Sequence, residues 1–187
     1  MEESKVTSFI LALKRCLYEK RGGKLVVTTK KVSKSRSMMS LSNMDVGEDP
    51  FRYCLAHEEF VESFKVFLKK IFCVENLLFY LESTHFRKFY DEIPEDLRPL
   101  TALRIFRTYV EVGSHLEVNI DEETREGITA AVRHSQFDGD LFLEATRAIF
   151  RLMEDDSFPK WQRTKDFRRV WKKNGSLPSL SPTPHFL

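Results

Sequence analysis

Phenylalanine and its apolar neighbours recur at helical spacing through the middle of this chain, and that periodicity limits the folds open to it. Phe60, Phe64, Phe67, Leu68 and Ile71 share one side of a 3.6-residue helix. After a break near Phe72 to Val74 the pattern resumes with Leu77, Phe79, Tyr80, Leu81 and Phe86. Such stripes must bury against one another, so they are read as core and not as a cofactor-lining box. Leu103, Phe106, Tyr109 and Val110 continue the spacing, as do Ile128 and Val132, then Phe142, Ala145, Ile149, Leu152 and Met153, and finally Phe167, Val170 and Trp171. Sixteen phenylalanines and 42% apolar residues in 187 supply a real core for one domain of ordinary size. Only Lys24 to Thr29 has strand character. The predicted fold class is all-α, a bundle of about eight or nine helices with flexible N-terminal and C-terminal extensions.

Helix-start and helix-stop signals divide the chain. Asp49-Pro50 pairs an N-cap residue with a proline at the first helical position, so the compact domain is expected over 49–172. Pro94 and Pro99 punctuate a connection, Asp121 caps a helix with Glu122 and Glu123 in its first turn, and Phe137 to Asp140 is a turn. Pro159 disfavours helical geometry at Phe158, which predicts an interruption around Asp155 to Lys160. Ahead of the domain, residues 1–22 are expected to form an amphipathic basic helix through Phe9, Ile10, Leu13 and Leu17, stopped by Gly22-Gly23. A Lys/Ser-rich linker over 23–48 and a Pro/Ser tail over 173–187 lack the apolar content to offset their ordering entropy.

A formal net charge of +2 gives no argument for nucleic acid, but the charge is uneven: from Lys14 to Arg36 nine basic residues face one acidic residue, Glu19. Cys16, Cys54 and Cys73 form neither a CxxC pair nor an even framework, which suits a reducing compartment. The first residues lack the features of a signal peptide, and no run reaches the ~20 apolar residues of a membrane span. The expected location is cytoplasmic.

No reactive constellation accompanies this composition. Five histidines, at 57, 85, 115, 134 and 185, form no i, i+4 pair for a metal, and phosphate-cradling glycine motifs and a GxSxG elbow are absent. The acidic pairs Glu58-Glu59, Glu122-Glu123 and Asp155-Asp156 are adjacent on helices and so do not face each other. No catalytic residue, metal or cofactor is expected. What stands out instead is short polar side chains at three breaks between amphipathic helices: "FCVENL" (Phe72 to Leu77), "EVNID" (Glu117 to Asp121) and "EDDSFPK" (Glu154 to Lys160). Taken singly, each is explained by caps and turns.

Taken together, their order and spacing resemble the regulator of G-protein signalling domain. The resemblance rests on "ENLLFYLE" (Glu75 to Glu82), "YVEVGSHLEVNIDEETREGI" (Tyr109 to Ile128) and "LMEDDSFPKW" (Leu152 to Trp161), and it covers about Asp49 to Lys172. It implies a nine-helix domain that binds the switch regions of a heterotrimeric G-protein α subunit (Gα) and accelerates GTP hydrolysis without chemistry of its own. The Gα subunit supplies the arginine and the water-orienting glutamine, and the partner supplies rigidity. The resemblance assigns Gα contact to Glu75, Asn76, Asn119, Leu152, Asp156, Ser157 and Lys160, with Asn119 in the key position. Glu117, Asp121 and Arg125 would hold the Asn119 loop in shape. The sequence departs from the family pattern at Ile71 and Phe72, where an acidic residue and a tyrosine are common. It departs again at Lys160, where arginine is common and lysine offers a point charge in place of a bidentate fork.

Small members of the family often reach membranes through a cationic amphipathic N-terminal helix. Residues Val6 to Tyr18 suit an anionic inner membrane surface, with Cys16 as the palmitoylation candidate. The expected partners are therefore a GTP-bound or transition-state Gα subunit and an anionic membrane surface, with no nucleic acid and a monomeric chain. A domain of this fold that binds Gα or another signalling protein without accelerating hydrolysis is the alternative.

Overall fold

The computed structural model describes residues 49–174 and the backbone of residues 19–21 and 24–26. From Pro50 onward every described element is helical, as the apolar periodicity predicts. Eight α-helices follow in order: α1 (Pro50–Leu55), α2 (Glu58–Lys70), α3 (Val74–Lys88), α4 (Arg98–Ile105), α5 (Glu122–Arg133), α6 (Leu143–Leu152), α7 (Phe158–Gln162) and α8 (Lys165–Asn174). Single 3₁₀ turns at Tyr90–Glu92 and Glu95–Leu97 link α3 to α4.

In the N-terminal part, Glu19–Arg21 (β1) pairs antiparallel with Lys24–Val26 (β2), with Lys20 opposite Leu25. β2 lies within the one stretch of strand character. β1 occupies the end of the span expected as a helix over 1–22, so those residues are extended instead. The rest of that helix with Cys16, most of the linker and the tail from 175 lie outside the described residues.

α1 begins as its sequence dictates: the Asp49 carboxylate accepts from the Arg52 backbone N–H at 2.9 Å, and Pro50 fills the first position, where no N–H partner is needed. Its Phe51 enters a cluster with Phe64 of α2, Phe150 of α6 and Phe158 of α7, ring centroids 4.8–5.6 Å apart. Trp161 of α7, fully buried, closes the cluster against Phe64 at 5.0 Å and Phe167 of α8 at 4.8 Å. α8 runs antiparallel to α2, because Lys70 pairs with Asp166 at one end (3.2 Å) and Lys173 with Glu59 at the other (2.9 Å).

α3 is the central rod. Leu77, Phe79 and Phe86 are buried along it, and Phe79 and Phe86 meet Phe142 at 6.3 and 5.8 Å. Pro99 does not interrupt a helix here; it sits in the first turn of α4, where proline fits. Just before Phe142 the chain passes Tyr90, and Gly139 makes room: a Cβ there would lie 3.1 Å from Cγ of that ring.

Two helices widen at their C-terminal ends. α4 continues into a π turn over Phe106–Val110, and α6 into another over Met153–Ser157 that runs straight on into α7. The interruption expected at Phe158 therefore does not occur: Phe158 has helical φ −64° and ψ −47°. A proline ring clashes with the carbonyl four residues back in a regular helix, and an i→i+5 turn opens the space that removes the clash.

Truncation should separate core from surface on one helix. Phe64→Ala is expected to lower unfolding free energy by about 3–5 kcal/mol, whereas Val66→Ala, at a half-exposed position, should stay within about 0.5 kcal/mol of wild type. Urea denaturation followed by tryptophan fluorescence measures both.

Candidate functional site

The first group of predicted residues gathers where α3 begins beside the Met153–Ser157 turn. The Cys73 thiol lies 3.9 Å from the Ser157 hydroxyl, tying the N-terminus of α3 to the wide turn. Burial pushes the Cys73 thiol pKa up and the Ser157 contact opposes it; Glu75 and Asp156 add to the rise and Lys160 subtracts from it. All four groups are thus within electrostatic reach of one sulfur, whose thiolate form burial disfavours.

Glu75 and Asn76 belong to the first turn of α3 and not to the loop expected from the sequence. The helix starts at Val74, so the short polar side chains ride on a rigid element. Asn76 is buried, 6% exposed, and its Oδ1 has no hydrogen-bond partner. Ser157 is likewise buried, while Asp156 beside it faces solvent and pairs with Lys160 one turn on, at 2.6 Å. Leu152 is half-buried against the core. Lys160 therefore holds the neighbouring carboxylate with its point charge.

Phe72 adjoins this group, and sequence reading noted it only as a departure. It follows α2 with φ +55° and is 91% exposed. The Cys73 N–H bonds back to the Leu68 carbonyl at 3.1 Å, and the Phe72 N–H reaches the Lys69 carbonyl at 3.5 Å. That is a Schellman stop, in which the left-handed position normally goes to glycine. A phenylalanine there carries a strain of about 1–2 kcal/mol and presents its ring to water. An aromatic residue in the break after an apolar helix was the available signal.

The second group is the connection from the Phe106–Val110 turn to α5. Val118 and Ile120 are buried, 1% and 7% exposed, and Asn119 between them is exposed. Arg125, only 8% exposed, explains how so short a loop keeps its form. Its guanidinium donates to the Val110 carbonyl and, at 3.1 Å, to the Val118 carbonyl, and it pairs with Glu117 at 3.2 Å. Glu117 in turn accepts the Gly113 N–H at 2.7 Å, where the chain turns with φ +81°. The Val118 N–H donates to the Tyr109 carbonyl at 2.9 Å. Asp121 caps α5 through the Thr124 N–H and hydroxyl, both at 2.8 Å, and these donors lower its carboxyl pKa. Val112, 75% exposed, sits on this loop and was not singled out in the sequence.

Packing on α3 links the two groups. Tyr109, whose carbonyl receives Val118, sets its ring 5.7 Å from Phe79 and donates its hydroxyl to Glu82 at 3.0 Å. No cluster of three or more His, Cys, Asp or Glu able to hold a metal occurs among the described residues, and none of their helices is long and apolar enough to cross a membrane.

Comparison with known proteins gives this arrangement its family. Residues 50–170 match the Regulator of G protein signaling domain. Regulator of G-protein signaling 8 of Rattus norvegicus is 38% identical over 120 residues, covering 63% of this chain and 62% of the relative. The Homo sapiens protein of the same name is 35% identical over 117 residues, covering 63% and 62%. Regulator of G-protein signaling 1 of Homo sapiens is 29% identical over 134 residues, covering 72% and 61%. The chain belongs to the regulator of G protein signaling domain family. Its match spans a little over three-fifths of the length of these relatives.

Removing the Arg125 fork should loosen the loop measurably. Arg125→Ala leaves two carbonyls and Glu117 without their donor, for an expected loss of about 2–3 kcal/mol in denaturant unfolding. Arg125→Lys should recover less than half of it, since an ammonium cannot hold two carbonyls in a planar fork.

Proposed function

We propose that this domain binds the switch regions of a Gα subunit and accelerates hydrolysis of its GTP, so attenuating G-protein signalling, with no bond-making step of its own. Membership of the family supports a regulator of G-protein signalling. The observation that carries the finer reading is the braced loop, where an exposed Asn119 amide stands between two buried β-branched residues over the Arg125 fork. An amide held this way loses little entropy on binding and can act on a partner's transition state more than on its ground state.

Phosphoryl transfer depends on positioning and electrostatic stabilisation. Asn119 would meet the switch region and the glutamine that orients the attacking water. Glu75 and Asp156 would accept backbone N–H groups of the switches, with Asp156 aimed by Lys160. Asn76, Ser157 and Leu152 would support that surface from behind, and the exposed Phe72 ring would supply its apolar contact. The partner is the GTP-bound or transition-state Gα subunit, met in the cytoplasm or at the inner membrane face by a single copy of the chain.

Single-turnover GTP hydrolysis with a panel of Gα subunits tests the proposal. Wild type is expected to raise the rate of at least one, and Asn119→Ala to lower that acceleration at least about tenfold, or ~1.4 kcal/mol. Acceleration untouched by Asn119→Ala would remove that amide from the mechanism, and acceleration absent for every Gα class would favour a domain that binds without accelerating. Phe72→Gly should separate stability from function: about 1 kcal/mol more stable in urea, yet weaker in Gα binding.

A further inference from the structure

The solvent face of α8 carries a basic stripe that the Gα reading leaves unused. Lys165, Arg168, Arg169 and Lys172 recur at i, i+3, i+4 and i+7, and all four are exposed. The opposite side holds Phe167 and Trp171, whose rings stack at 5.5 Å and meet Trp161 and Phe60 at 4.8 and 5.8 Å. These contacts, with the Lys70–Asp166 and Lys173–Glu59 pairs at the two ends of the helix, fix which side faces outward. Asp166 is the one acidic residue of α8; it lies at the flank against α2 and also reaches Arg169 at 3.7 Å. Among the described residues, Lys165 and Lys172 have no carboxylate within ion-pair distance.

We propose that this face of α8 docks on an anionic lipid surface. A helix face is convex and offers no pocket for a single charged group. The aromatic residues of α8, which would anchor a protein interface, are committed to the core. Long cationic side chains along a convex face match diffuse negative charge instead, and the nine basic residues from Lys14 to Arg36 give the same sequence a second basic segment. Stable attachment to a bilayer generally takes two such signals. The proposal is independent of GTPase activation and uses none of the residues assigned to Gα.

The test is co-sedimentation of the full chain with vesicles of phosphatidylcholine alone or with about 30% phosphatidylserine, at about 0.1 M salt. Wild type should bind the anionic vesicles and not the neutral ones, and lose binding as salt rises. At roughly fivefold per basic side chain near an anionic surface, losing three should lower partitioning at least about a hundredfold, and Arg168→Glu/Arg169→Glu/Lys172→Glu should lower it further by repulsion. The milder Arg168→Gln/Arg169→Gln/Lys172→Gln should lower it in the same direction, and circular dichroism should report unchanged helix in both. Arg133→Glu/Arg147→Glu/Arg151→Glu, an equal charge change on α5 and α6, should bind like wild type. Wild-type binding by the α8 variants, an equal loss in the α5/α6 variant, or tighter binding to polyglutamate or duplex DNA than to anionic vesicles would each overturn the proposal.

Discussion

One buried guanidinium organises the part of the molecule that faces outward. Arg125 rises from the first turn of α5 and spans two carbonyls, Val110 at the end of the wide turn after α4 and Val118 in the loop, while its charge is balanced by Glu117. Those carbonyls lie in a stretch with no regular ladder of its own, so without the fork they would need water or a different path. Because the same Glu117 takes the Gly113 N–H, the brace closes on itself, from Gly113 through Glu117 and Arg125 to Val110. The loop is short, exposed and yet held at several points. A surface of this kind can stabilise a partner's conformation without first having to be ordered.

The brace in turn stands on an aromatic interior. Tyr109 carries the loop strand on its carbonyl and reaches α3 through its ring and hydroxyl. At the other end of the core, Phe51, Phe64, Phe158 and Trp161 bind α1, α2 and α7 into one cluster, which backs the turn that carries Asp156 and Ser157. The loop thus leans on α3, while the Asp156 and Ser157 turn leans on that cluster and meets the start of α3 through Cys73. Local disorder near one set would have to break core contacts before it moved the other.

Much of this could be read in the sequence, and the failures have physical causes. The Asp49 and Asp121 caps and the burial of Phe60, Phe64, Leu77, Phe79 and Phe86 follow from local chemistry and a 3.6-residue period. Phe158 was misjudged because the rule for residues before proline assumes a regular helix, and the π turn is set by tertiary packing. Glu75 and Asn76 read as part of the break between two apolar stripes, whereas the helix already starts at Val74. Arg125 could be suspected of supporting the loop, but its two carbonyl contacts lie 7 and 15 residues away and leave no mark in any pattern of side chains. Phe72 is the opposite case, a residue whose cost is visible only once its backbone angle is known.

The two wide turns have a consequence of another kind. Each holds about one more residue per turn than an α-helix; the first leads into the Asn119 loop and the second carries Asp156. Losing a single residue from Met153–Ser157 would swing everything after it by roughly 100° about the axis. Asp156 would take the exposed place of Asp155 and the buried Ser157 the exposed place of Asp156, whatever amino acids stood there. At these two places the surface is encoded by how many residues the chain contains, and length becomes as much a part of the recognition signal as identity.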